Sequence, residues 1–135
     1  MISHSSFACS CKWLGDFFEA SKKMDLIVKA EVIEKLKEDE PFDTIMRIKI
    51  LEKYKGNEEQ NEILVYGDKG ADCLAYISEF ELGEVYYLAL GKSLISNDKY
   101  LQGNCGELYL TEGRRWKNDR KERGFIKVQT NFRNE

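Results

Sequence analysis

Apolar and polar residues alternate with a period of two over several short stretches, the pattern of strands with one buried and one wet face. Asp25–Leu36 sets Val28, Ala30 and Val32 on one side, and Asp43–Lys53 does the same with Met46, Ile48 and Ile50. Glu62–Gly67 carries Ile63, Leu64, Val65 and Tyr66, and Val85–Leu90 is a tyrosine- and leucine-rich run between Gly83 and Gly91. Lys99–Gln102 starts a fifth strand that leads towards Cys105. The breaks between these blocks are chemically distinct. Lys37-Glu38-Asp39-Glu40-Pro41 holds the only proline and suits an exposed hairpin connection, while Lys55-Gly56-Asn57 and Asp68-Lys69-Gly70 read as turns.

Two segments read as helices instead. Trp13, Phe17, Ala20 and Met24 recur on one face of a helix over Trp13–Met24, with Lys22 and Lys23 at its C-terminal end, where cations suit the helix dipole. The charged stretch Glu107–Arg123 predicts a second helix anchored by Trp116, followed by an edge strand over Phe125–Thr130. Five short strands and two flanking helices predict a mainly β protein. The architecture that leaves fewest unpaired edges is a five-stranded OB-fold-like barrel with an N-terminal and a C-terminal helix.

With 135 residues, the chain has the length of one domain. At 42% hydrophobic and 33% charged it has the means to build a core, and no run of about 18 apolar residues offers a transmembrane helix. The net charge of −3 hides an asymmetry: residues 1–113 carry −8 and residues 114–135 carry +5. The cations Arg114, Arg115, Lys117, Arg120, Lys121 and Arg123 form a basic patch that reads first as a solvated face and second as a polyanion site. Tyr54, Tyr66, Tyr76, Tyr86 and Tyr87 offer aromatic surface for stacking bases, but strand tyrosines usually serve as half-buried structure. An acidic body argues further against nucleic acid.

Catalytic chemistry has little to work with. The single histidine, His4, stands near the N-terminus, and neither a GxxxxGK[ST] nor a GxGxxG motif occurs, so an enzyme and a bound cofactor are both disfavoured. The four cysteines carry more information. Cys9 and Cys11 form a C-x-C pair, and Cys73 and Cys105 stand alone. Structural zinc sites usually combine two close ligand pairs, and only one is present here. In extended chain, Cys9 and Cys11 project to the same side and reach towards two neighbouring strands. Two long-range disulfides are favoured over buried thiols or metal, but spacing alone leaves three connectivities open. Disulfides imply an oxidising compartment. Ser6-Phe7-Ala8 before Cys9 fits the small-x-small pattern of a signal peptidase site, so residues 1–8 read as a leader or signal-peptide remnant, with an ordinary flexible leader as the alternative. Lipid attachment at Cys9 is a further alternative.

The order Cys9-Ser10-Cys11, Phe17-Phe18-Glu19-Ala20 and Asp25-Leu26-Ile27-Val28-Lys29-Ala30-Glu31-Val32 resembles the start of netrin-like domains, and in particular the tissue inhibitors of metalloproteinases. Tyr54-Lys55-Gly56, Cys73, Gly83–Gly91 and Cys105 continue the likeness, which assigns residues 9–112 to the domain and leaves residues 113–135 as a basic C-terminal segment packing on or extending the barrel. The resemblance implies a secreted, OB-like module with Cys9 bonded to Cys73 and Cys11 to Cys105. It also implies an inhibitory edge of Cys9, Ser10, Cys11 and Lys12 joined by Ala71 and Asp72. In such inhibitors the α-amine and carbonyl of the first cysteine chelate the catalytic zinc of a partner metalloprotease, a role that falls here to Cys9. A chain that retains Met1–Ala8 has an amide nitrogen at Cys9, a poor metal ligand. The alternative is a non-inhibitory module that binds another extracellular protein or a polyanion.

Overall fold

The computed structural model describes residues 11–70, 72–96 and 99–111. Among them are one short α-helix, α1 (Phe17–Ser21), and six strands: β1 (Leu26–Leu36), β2 (Ile45–Lys55), β3 (Glu62–Tyr66), β4 (Val85–Lys92), β5 (Tyr100–Leu101) and β6 (Tyr109–Thr111). Antiparallel pairing joins β1 to β2, β2 to β3, β5 to β4 and β4 back to β1, and β3 runs parallel to β5. The ring β1-β2-β3-β5-β4 therefore closes on itself as a five-stranded barrel, and β6 adds to β4 beside it. Closure removes the free edges that an open sheet of this size would expose.

The sequence explains the ring. β1 and β2 are 11 residues each, and their pairing shifts register between Ile27 and Val28, Lys29 and Ala30, and Val32 and Glu34. Such irregularities bend and coil a strand, so β1 can pair with β2 along its length and still meet β4 over Leu26–Glu31. Period-two alternation then sorts the side chains. Leu26, Val28, Ala30 and Val32 of β1, Met46 and Ile48 of β2, Ile63 and Val65 of β3, and Tyr86, Leu88 and Leu90 of β4 fill the interior with Ile77 and Phe80. The Phe80 ring packs edge-on against Tyr86, with centroids 5.1 Å apart.

The opposite faces of β1 and β4 are also apolar. Ile27, Tyr87 and Ala89 are buried there beneath Phe17 and Ala20 of α1 and beside Leu108 and Leu110. That double burial is why Val85–Leu90 reads as a continuous apolar run. Asp16 caps α1, its Oδ1 accepting from the Glu19 N–H at 3.0 Å.

Two expectations need correction. The first helix spans five residues, not Trp13–Met24. Residues before Asp16 are drawn away to pair with the 105–107 segment, so Trp13 is left 64% exposed. The Glu107–Arg123 helix does not begin where its charge density suggested, because Leu108 and Leu110 alternate into the outer layer and Tyr109–Thr111 forms β6. Residues from 112 onward, including Trp116, the Phe125–Thr130 strand and the rest of that expected helix, lie outside the described residues.

Candidate functional site

Cys11 and Cys105 form a disulfide with Cα atoms 6.0 Å apart across 94 residues of sequence. Backbone pairing continues what the sulfurs begin. The Leu14 N–H donates to the Cys105 carbonyl at 2.8 Å, the Glu107 N–H donates to Gly15 O at 2.9 Å, and Glu107 Oε1 accepts from the Phe17 N–H at 3.2 Å. Gly106 allows this close approach: a Cβ there would stand 3.0 Å from Leu14 Cβ and 3.1 Å from Ala20 Cβ. Segment 11–17 is thus strapped to segment 105–107 by one covalent bond and three hydrogen bonds.

A second loop meets this strap. Leu74 bridges Gly103, and the Ala75 N–H donates to Gln102 O at 2.8 Å, which sets the segment just after Cys73 beside the one just before Cys105. Asp68, only 3% exposed, organises the loop from within. Its Oδ2 accepts from the Gly70 N–H at 2.7 Å, and its Oδ1 accepts from Asp72 N–H at 2.8 Å and Leu74 N–H at 3.2 Å. Three charge-assisted bonds from one buried carboxylate fix the loop's path. Cys73 is half-buried and takes a left-handed backbone, φ 59°. Gly67 anchors the loop's start, since a Cβ there would lie 2.6 Å from Ala75 O.

Three residues of the expected edge, Cys11, Lys12 and Asp72, lie among the described residues. Cys11 and Lys12 are exposed on the strap and Asp72 is exposed on the loop. Cys9, Ser10 and Ala71 lie outside the described residues, as do His4, the leader and the basic patch Arg114, Arg115, Lys117, Arg120, Lys121 and Arg123. Beside the loop, a cleft of about 470 Å³ is lined by Lys37, Phe42, Lys69, Gly70 and Tyr76, with the two aromatic rings 6.5 Å apart. The ammonium of Lys69 pairs with Glu38 at 3.1 Å, and that bond raises its pKa above the usual lysine value.

The five tyrosines do not form one platform. Tyr86 and Tyr87 are buried on opposite faces of β4, Tyr54 packs against the outer layer, and Tyr66 and Tyr76 lie elsewhere. Among the described residues no group of three His, Cys, Asp or Glu side chains is placed to hold a metal ion. No helix among them is long and apolar enough to cross a membrane. Sequence reasoning treated Asp68 as an ordinary turn residue and overlooked Gln102, which is fully buried and donates from Nε2 to Leu108 O at 3.2 Å. The Asp-Lys-Gly order signals a turn; nothing local signals that its carboxylate is buried. No family model and no curated protein matches the chain.

Proposed function

We propose that this chain is an extracytoplasmic, netrin-like interaction module resembling the tissue inhibitors of metalloproteinases, and that its strapped edge is the surface it presents to a partner. The observation that carries this reading is the Cys11–Cys105 bond, the pairing the resemblance implies for the second and fourth cysteines. The ring order β1-β2-β3-β5-β4 with a parallel β3–β5 pair suits the OB-like barrel of that family. The Leu74–Gly103 bridge supports the companion bond Cys9–Cys73, because it brings Cys73 to the same edge as Cys105, whose partner Cys11 follows Cys9 by two residues in the sequence. A disulfide of this span also favours an oxidising compartment.

On this reading the partner is a zinc metalloprotease and the mechanism is chelation. Once the residues before Cys9 are removed, its α-amine, with an ordinary pKa near about 8, loses a proton at modest cost. The free amine and the Cys9 carbonyl then form a compact N,O chelate on the partner's zinc and displace its water. Ser10 enters the adjoining specificity pocket, and Lys12 and Asp72 extend the contact. Rigidity makes the wedge work: a tip held by two bridges loses little conformational freedom on binding. The test compares a chain beginning at Cys9 with the chain beginning at Met1 against a panel of zinc metalloproteases. Inhibition by the first and not the second supports chelation; equal inertness rejects it.

The charge asymmetry favours a second reading, a non-inhibitory module that holds a polyanion through Arg114–Arg123. Salt-sensitive retention on heparin, lost when those cations become glutamine, distinguishes it.

A further inference from the structure

The connection between β1 and β2 meets the loop that follows β3 at a cleft outside both the barrel interior and the strapped edge. Phe42 stands on one wall and Tyr76 on the other, 38% and 44% exposed. Their surroundings place both rings. The Thr44 N–H donates to Leu36 O at 2.9 Å and closes the connection that carries Phe42, and Thr44 itself is buried. Ala75 and Ile77 are buried on either side of Tyr76, which leaves its ring outside, and the Glu79 N–H donates to Tyr76 O at 3.0 Å. The two rings lie 6.5 Å apart at 60°, so they form an open corner rather than a closed stack.

The charges around this corner are matched in pairs. Lys37 Nζ lies 3.5 Å from Asp43 Oδ1, and Lys69 Nζ lies 3.1 Å from Glu38 Oε1, with the charges of Asp39 and Asp72 also acting on Lys69. An anionic ligand would find both lysines engaged and further carboxylates beyond them. A cationic ligand would meet two ammonium groups at the wall. The cleft therefore suits a neutral ligand. It is still rich in polar groups, because an ammonium and a carboxylate each have more hydrogen-bonding sites than one partner can fill, and Ser78 adds a hydroxyl. A ligand that uses both features has an apolar C–H face for the rings and a rim of groups that donate and accept. A pyranose has both. A proline-rich peptide, the other neutral occupant of aromatic clefts, offers carbonyl acceptors but no N–H at proline, so it would leave the carboxylates of Asp43 and Glu38 unused. The cleft volume of about 470 Å³ is that of a small-ligand site. The connection between the first two strands is also one of the loops with which OB-type barrels hold oligosaccharides.

We propose that this cleft binds a neutral glycan, with a sugar ring seated against Phe42 and Tyr76 and its hydroxyls shared between the Lys37–Asp43 and Lys69–Glu38 pairs. The site does not rest on the proposed inhibition, since it needs no free amine at Cys9.

The test titrates the full, isotope-labelled chain with neutral hexasaccharides of glucose, mannose, galactose and N-acetylglucosamine at millimolar concentration. At least one should shift the amide signals of residues 37–44 and 75–78 and leave those of residues 105–107 unmoved. Phe42→Ala and Tyr76→Ala should each weaken that binding by about tenfold, the loss of one ring contact. Phe42→Tyr keeps a ring and should stay within about twofold. Asp43→Ala, which removes an acceptor, should weaken binding by about fivefold. Both rings are half-exposed, so the alanine variants should unfold at midpoints near that of the parent chain, which excludes misfolding as the cause. Three outcomes overturn the proposal: no shift with any of the four sugars, unchanged affinity in both aromatic-to-alanine variants, or shifts at the same amides with decaproline and none with the sugars. The last outcome assigns the cleft to a proline-rich peptide.

Discussion

β1 and β4 bury apolar side chains on both faces, and the two layers they separate are held by different means. The inner layer, with Val28, Leu88, Phe80 and Tyr86, is enclosed by a ring of hydrogen-bonded strands whose closure depends on backbone pairing all the way round. The outer layer, with Ile27, Tyr87, Phe17 and Leu110, is roofed by a five-residue helix and a three-residue strand, both too short to stand alone. Its roof is fixed by the Cys11–Cys105 bond and the strap beside it. The barrel is a framework that packing and ladders sustain. The outer layer needs a covalent fastener, and that fastener lies at the proposed partner-binding edge, so the chemistry that stabilises the roof also stiffens the edge.

The largest expected effect follows from removing the fastener. Cys11→Ser with Cys105→Ser opens a loop spanning 94 residues, which the chain-entropy account values at about 4–5 kcal/mol. Urea unfolding of the variant should show that loss, and amide exchange should rise first at Phe17–Ser21 and around Leu108–Leu110. Uniform acceleration across β1 and β2 as well would mean that the two layers do not differ in the way described.

Truncations sharpen the contrast. Leu88→Ala inside the barrel and Phe17→Ala in the roof each remove a fully buried side chain, at an expected cost of about 3–4 kcal/mol. Combined with the double serine variant, Leu88→Ala should add nearly independently. Phe17→Ala should fall short of additivity by about 0.5–3 kcal/mol, because its packing depends on the strap that is already lost. Equal coupling for both sites would contradict the division into layers.

The same contrast shows what the sequence made legible. The alternation of Val28, Ala30 and Val32, and of Met46, Ile48 and Ile50, located β1 and β2 to within about two residues, because a strand lining a closed interior must repeat with period two. β6 was misread because its two inward residues, Leu108 and Leu110, stand in a charged stretch whose composition favours a helix. Two residues of β5 carry no period at all; they are defined by the parallel register Val65 to Tyr100 and Tyr66 to Leu101 and by the antiparallel register Gly91 to Leu101 and Lys92 to Tyr100. The Cys11–Cys105 pairing came from likeness to a family, since spacing offers no means of choosing among partners. The loop of Asp68 was legible as a turn and its buried carboxylate was not, because burial there is decided by the distant Gln102–Gly103 segment.

Asp68 provides the next smaller effect. Asp68→Ala leaves the N–H groups of Gly70, Asp72 and Leu74 without their acceptor, and bonds to a charged group contribute about 1.5–3 kcal/mol. The loop before Cys73 should lose its fixed path, with faster exchange at those three amides and little change in β1 or β2. If the edge then inhibits or binds a partner as well as before, its stiffness is not what the interaction uses.

The smallest effect appears in alkali and concerns the inner layer. Burial, reinforced by Glu79, pushes the Tyr109 hydroxyl up to about 12, and burial with the Glu58 hydrogen bond does the same for Tyr100. Both pack with the inner layer. A tyrosine whose pKa rises on folding keeps its proton in the native state while the unfolded chain has already lost it, so unfolding is favoured as pH climbs. The stability these groups contribute is therefore complete below pH 10, declines from there, and is gone above about 12. Denaturation midpoints measured across that window should fall, and Tyr109→Phe should flatten the fall by removing one of the two groups. The ultraviolet titration of tyrosinate in the native protein should show Tyr109 and Tyr100 ionising well above the ordinary tyrosine range. A midpoint that is level from pH 10 to about 12 would mean that neither hydroxyl is shielded in the folded barrel.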